Sequence, residues 1–194
     1  MSKTRFRKSI ILILVVLLTM SSIYAEDTKK SQSVLFQDIA IRIGEGSFLF
    51  DKHSQMGANF LGGVTLGLTK RTELSLEVIT PLTPKPFSNV IAGFEFCFSL
   101  IGDRVSTKNN AGNGLNVMVG AGLFFSNHND KGQYLPTFLT LRFFPLTVGS
   151  PYSGHREILL PIGVAWNIQD NSFSLFVSIM MYDNYIKGSW RDYQ

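Results

Sequence analysis

From residue 36 onward the chain alternates between apolar and polar positions. Hydrophobic side chains recur at every second residue, the period of a β-strand with two unlike faces. Residues 36–44 set Ile39, Ile41 and Ile43 against Asp38, Ala40 and Arg42. Residues 58–69 set Phe60, Val64, Leu66 and Leu68 against Asn59, Gly63, Thr65, Gly67 and Thr69. After Lys70-Arg71, residues 72–80 set Leu74, Leu76 and Val78 against Glu73, Ser75 and Glu77, and the two stretches read as a hairpin. The pattern returns over 87–101, with Phe94, Phe96 and Phe98 opposed by Gly93, Glu95 and Cys97, and over 115–125, with Val117, Val119 and Leu123 opposed by Asn116, Gly120 and Gly122. It returns again over 134–147, with Leu139, Leu141 and Phe143 opposed by Thr140 and Arg142. Residues 158–169 put Ile158, Leu160, Ile162, Val164 and Trp166 on one face, and 172–182 do so with Phe173, Leu175, Val177, Ile179 and Met181.

The intervening stretches are rich in turn formers: three prolines in 81–86, an Asn/Gly-rich run over 102–114, and the polar runs 126–133 and 148–157. Successive strands joined this way pair antiparallel. Eight of them predict an all-β fold, an antiparallel up-and-down barrel over residues 36–182, which leaves no edge exposed.

Period alone does not say which face meets water. A solvated face carries Lys, Arg, Glu or Asp at about a quarter to a third of its positions. These eight segments contain no lysine. Their charges, Asp38, Arg42, Glu73, Glu77, Glu95 and Arg142, all fall on the non-apolar face, among Gly, Ser, Thr, Asn and Ala. Small residues suit the crowded inside of a narrow barrel. The opposite face has no charge within these segments. Phe36, Phe87, Phe125, Tyr134, Phe143, Phe144, Tyr182 and Tyr185 gather near segment ends, as interfacial girdles do. The expectation is a transmembrane barrel, greasy outside and polar within.

The N-terminus supports export. Lys3, Arg5, Arg7 and Lys8 precede an apolar run over 10–20, and Ser21-Ser22-Ile23-Tyr24-Ala25 offers a cleavage region. Residues 1–25 read as a signal peptide, 26–35 as a polar lead-in and 183–194 as a C-terminal tail. The four bases of the signal account for the whole formal excess of 18 Lys and Arg over 14 Asp and Glu. The domain itself is charge-neutral, which argues against nucleic-acid binding. At 194 residues, 45% hydrophobic and 16% charged, the chain is one folded domain and not a disordered one. A single cysteine excludes a disulfide scaffold.

The signal and the strand pattern together resemble the small outer-membrane β-barrels of Gram-negative-type bacteria, the eight-stranded class that includes the OmpA transmembrane domain, OmpX and OmpW. The resemblance spans residues 36–182 and is one of pattern. It implies an outer-membrane location, lipid and the barrel-assembly machinery as partners, and a structural, adhesive or narrow-conduit role, porin-like at most. Pro161, inside the seventh segment, departs from the pattern because it cannot donate to a ladder.

Arg42, Glu73, Glu77, Glu95 and Arg142 are the candidate site. Sharing one lumen, they must pair, either as a network that fills the barrel or as the constriction of a small pore. A soluble, lipocalin-like periplasmic barrel with an apolar ligand is the alternative. A lipid-modifying enzyme is the second alternative, because Ser126-Asn127-His128-Asn129-Asp130 holds the residue types of a nucleophilic triad. Such residues are also what a polar turn contains, so the expectation is no enzyme. His53, His128 and His155 are scattered over separate loops, Cys97 is a small lumen filler, and no spacing suggests a metal or cofactor.

Overall fold

The computed structural model describes residues 36–49, 58–82, 90–104, 115–127, 134–150, 154–169 and 171–188. The predicted signal and lead-in, the segment 189–194, and residues 50–57, 83–89, 105–114, 128–133, 151–153 and 170 lie outside these residues. The described part is all strand: β1 (Asp38–Leu49), β2 (Asn59–Gly67), β3 (Thr72–Pro81), β4 (Ile91–Ile101), β5 (Asn116–Asn127), β6 (Tyr134–Ser150), β7 (His155–Leu159), β8 (Ile162–Asn167), β9 (Ser172–Val177) and β10 (Met180–Gly188). No helix among the described residues is long and apolar enough to cross a membrane.

Each strand pairs antiparallel with its neighbours, and β1 also pairs with β10 and β9, which closes the sheet into a barrel. β7 and β8 follow one another along β6, and β9 and β10 follow one another along β1. The ten strands therefore form eight staves, two of them interrupted. Partners can be followed once round the wall from Ile39 through Leu66, Leu74, Phe96, Ala121, Leu141, Val164 and Leu175. The circuit ends at Leu49, ten residues from its start. Such a stagger tilts the staves, by about 35–45° in typical barrels, and eight staves leave an interior just wide enough for side chains to fill.

The apolar face is the outer one. Phe94 is 43% and Leu141 63% exposed, whereas Glu77 and Arg142 are each 2% exposed. This arrangement is the reverse of a lipocalin-like barrel.

Staves six to eight differ from simple alternation. The inward set of β6 is Phe138, Thr140, Arg142 and Phe144, then Thr147 and Gly149. The register against β5 shifts at the same place. Opposite it, β7 ends at Leu159 and β8 resumes at Ile162. Opposite that, β9 ends at Val177 and β10 resumes at Met180. Pro145 and Pro161 supply no N–H to the ladder, and Leu160 takes a positive φ of 51°. The staves stay joined across the break by Leu160 N–H to the Ile179 carbonyl and Ser178 N–H to the Pro161 carbonyl, both 2.9 Å.

The break moves the inward face by one residue, which corrects the placements of Ile158, Met181 and Tyr185, whereas Phe144 is inward by the unbroken phase it shares with Thr140 and Arg142. Ile158 and Met181, expected on the apolar wall, are buried inside. Phe144 and Tyr185, expected in the girdles, also point inward and are buried. The outer wall near the other end instead carries a stacked Trp166–Phe173 pair, with centroids 6.3 Å apart.

Several strand ends run further than the alternation indicates, with β5 reaching Asn127, β6 reaching Ser150 and β7 beginning at His155. β10 continues to Gly188, and β1 to Leu49. The extension of β1 places Glu45 exposed on the outer side, opposite Phe60. The expectation of a charge-free outer wall is thus wrong at this position. Glu45 lay just past the segment in which alternation is visible.

Candidate functional site

All five predicted lumen residues meet inside the barrel. Arg42 stands on β1, and Glu73 and Glu77 on β3, with Ser75 between them on the same face. All five guanidinium N–H groups of Arg42 can be accounted for. Nε donates to Asp183 Oδ1 at 2.7 Å, Nη1 to Ser75 Oγ at 2.8 Å and Glu77 Oε1 at 3.0 Å, and Nη2 to Glu73 Oε1 at 3.0 Å and Asp183 Oδ2 at 2.9 Å. On the far wall, Arg142 of β6 donates from Nε to Glu95 Oε1 at 2.7 Å and from Nη2 to both Glu77 and Glu95. Glu77 bridges the two arginines.

Four further ionised residues complete the network. Arg156 of β7 donates to Asp183 at 3.0 Å and to Glu73 at 2.9 Å. Arg104 follows β4 and turns back into the barrel end. Its Nε donates to Glu73 Oε2 at 2.9 Å, and its Nη groups to the Asp38 carboxylate and the Thr69 carbonyl. The backbone there turns at Gly102, whose φ of +76° suits glycine. Glu73 therefore accepts from three arginines: Arg42, Arg104 and Arg156. Burial is the largest single influence and works against the Arg104 charge, but Asp38 and Glu73, with the other groups around it, together outweigh burial and hold the guanidinium pKa above its ordinary value.

Glycines make the room for these large groups. A Cβ on Gly120 would lie 2.6 Å from Glu95 Cδ, and one on Gly163 would lie 2.7 Å from Arg142 Cγ. Cys97 is buried beside this cluster, and its thiol points at Glu95 Oε2 at 3.5 Å.

The register divides the lumen along its axis. Asp38, Glu73, Arg104, Arg156 and Asp183 lie toward the end that holds the first residue of β1 and the last of β10. The opposite half is filled by Leu61, Ile79, Ile91, Phe124, Phe138 and Phe176, all buried. Arg142 stands where the halves meet. Its guanidinium carbon lies 5.3–5.7 Å from the ring centroids of Phe124, Phe144 and Phe176, cation–π distances. Beside Arg142 lies a gap of about 10 Å³ bounded by Ile79, Ile91, Phe124, Phe138, Thr140 and Phe176.

Of the loop residues considered for catalysis, Ser126 ends up buried on β5 with its hydroxyl 2.7 Å from that of Thr137. His128, Asn129 and Asp130, like His53, lie outside the described residues. His155 opens β7 and stacks on Tyr182. Among the described residues no His/Cys/Asp/Glu group is arranged to hold a metal.

The closed ring, the apolar outer wall and the ion-paired interior define a class: the small antiparallel barrel that the alternation resembles. The crystal structure of the N-terminal β-barrel domain of Pseudomonas aeruginosa OprF has this fold. It matches 78% of this chain and 98% of that domain, with a TM-score of 0.54 and 11% sequence identity. At that identity the likeness is one of fold. No family model matches the sequence, and no curated protein is matched.

Proposed function

We propose that the protein is an outer-membrane β-barrel with a sealed lumen and a structural role. The observation that carries this reading is the filling of the barrel. Four arginines and five carboxylates are bonded to one another across the interior, apolar side chains pack beside them, and the gap next to Arg142 is only about 10 Å³. A pore needs a continuous water path, whereas this interior is packed as a core is packed. Charges buried this way cost desolvation energy, and removing any one partner would leave another buried without its counter-charge.

On this reading the outer wall meets acyl chains, and the barrel-assembly machinery inserts the protein after the signal peptide is removed. The OprF likeness supports the fold on which the reading stands. The test is recording in planar lipid bilayers. The purified barrel should incorporate without steady conductance, and a large, steady conductance would establish the narrow-conduit role instead.

A further inference from the structure

On the outer wall, β1 and the stave beside it lose step where the ladder breaks. β1 pairs with β10 as far as Gly44 against Met181, and with β9 from Ser47 against Val177. Between these pairs β1 has two residues, Glu45 and Gly46, and the facing chain has three, Ser178, Ile179 and Met180. Two against three is a bulge. Ser178 is buried, whereas Ile179 and Met180 are both exposed on the outside. Ile179 is 68% exposed, more than any other large apolar side chain among the described residues. Leu160, whose N–H donates to the Ile179 carbonyl, is 60% exposed. A ridge of Leu160, Ile179 and Met180 thus stands out beside the exposed Glu45.

The Glu45 carboxylate is not at a rim. Ile41 and Ile43 lie exposed on the side of the charged barrel end, and Leu175 and Phe173 of β9 lie exposed on the other. Among the described residues nothing pairs with Glu45. An ionisable group amid an apolar band marks a contact, because a charge left in hydrocarbon is unfavourable. The occupant has to bring the complement. Lipid headgroup amines stay at the two interfaces, beyond the flanking apolar residues. A second copy of this chain offers no cation at that height. The four network arginines are buried in the lumen, and Lys70, Arg71 and Lys187 belong to the charged end.

We propose that Glu45 and the ridge of Leu160, Ile179 and Met180 form a lateral docking site for another membrane-embedded protein, one whose apolar surface carries a Lys or Arg at the depth of Glu45. The ridge supplies apolar contact, and the pliable Met180 side chain fits an irregular partner. The ion pair, shielded from water, selects the partner and sets its depth. This inference rests on the reading of the outer wall as lipid-facing.

The test is photo-crosslinking in the cells that naturally produce the protein, with a photoreactive amino acid in place of Ile179 in the full chain. A discrete adduct is expected, and mass spectrometry should place the crosslink in a membrane-spanning segment of a second protein that contains Lys or Arg. The adduct should fall by about tenfold or more in Glu45→Gln, which keeps the shape and removes the charge. An adduct whose yield Glu45→Gln leaves unchanged, an adduct between two copies of this chain, or lipid adducts alone overturn the proposal. The same probe in place of Leu141, on β6, reads the wall itself, and lipid adducts are expected there. Their absence overturns the lipid-facing reading and this inference with it, whereas failure at position 179 alone overturns only the inference.

Discussion

Glu73 is the acceptor on which the lumen network turns. Arg42, Arg104 and Arg156 all reach it, and all four side chains are fully buried. Glu73→Ala should destabilise the barrel by about 3–5 kcal/mol, because it leaves buried guanidinium groups without their counter-charge. Urea unfolding in micelles would measure this. Arg71→Ala is the control. Its pair with Asp103 is 44% and 40% exposed, and solvent screens it, so the change should stay under about 1 kcal/mol. Arg42, Glu73, Glu77, Glu95 and Arg142 are legible in the sequence because each sits inside an unbroken run of alternation, which assigns its face. Asp38 shares that face, but nothing in its spacing tells that it would meet a loop arginine. Arg104 follows a strand end, and Arg156 and Asp183 lie beyond the runs that alternation marks. Their partners are 31, 66 and 83 residues away for the contacts to Glu73 and Asp38. Charge that far apart along the chain is brought together only by closing the ring.

At the scale of elements, the wall is a plain ladder from β1 to β4, shifts register once where β4 ends against β5, and is bent from β6 to β10. The bend is what a period-2 reading misses. Pro161 warns of it, but the size of the shift depends on three adjacent staves advancing together, and no single segment shows that. Gly163, just past the break, is where β8 passes Arg142. A Cβ there would also lie 2.6 Å from the Leu141 carbonyl oxygen, so Gly163→Val should cost about 1–3 kcal/mol as an overpacked contact and loosen the Arg142 pairs. β1 offers the opposite case. Glu45 is exposed on a wall whose neighbours, Ile43 and Phe60, are apolar. If the wall lies in lipid, Glu45→Leu should raise stability in bilayers by about 1 kcal/mol, since a lipid-facing charge is unfavourable. Unfolding from vesicles would read the gain. A fall in stability would mean that Glu45 has a polar partner or lies in water.

The whole molecule is a core turned inside out. Among the described residues most ionised groups of the strands fill the centre and aliphatic groups cover most of the wall, an apolar surface of the kind that marks contact with lipid or protein. The barrel should accordingly require detergent for extraction from the cell envelope, and it should migrate differently on gels before and after boiling. The alternation shows the faces of most strands, and the absence of lysine shows which face is outside. Closure and the ten-residue stagger are properties of the ring and of no one strand. The most direct test of this arrangement is collision accessibility of spin labels in lipid vesicles, on a Cys97→Ser background, with labels placed singly at Leu141, Phe94 and Leu76. The account predicts that lipid-soluble oxygen reaches all three while a water-soluble nickel reagent does not. Ready access of the nickel reagent to these positions would contradict it.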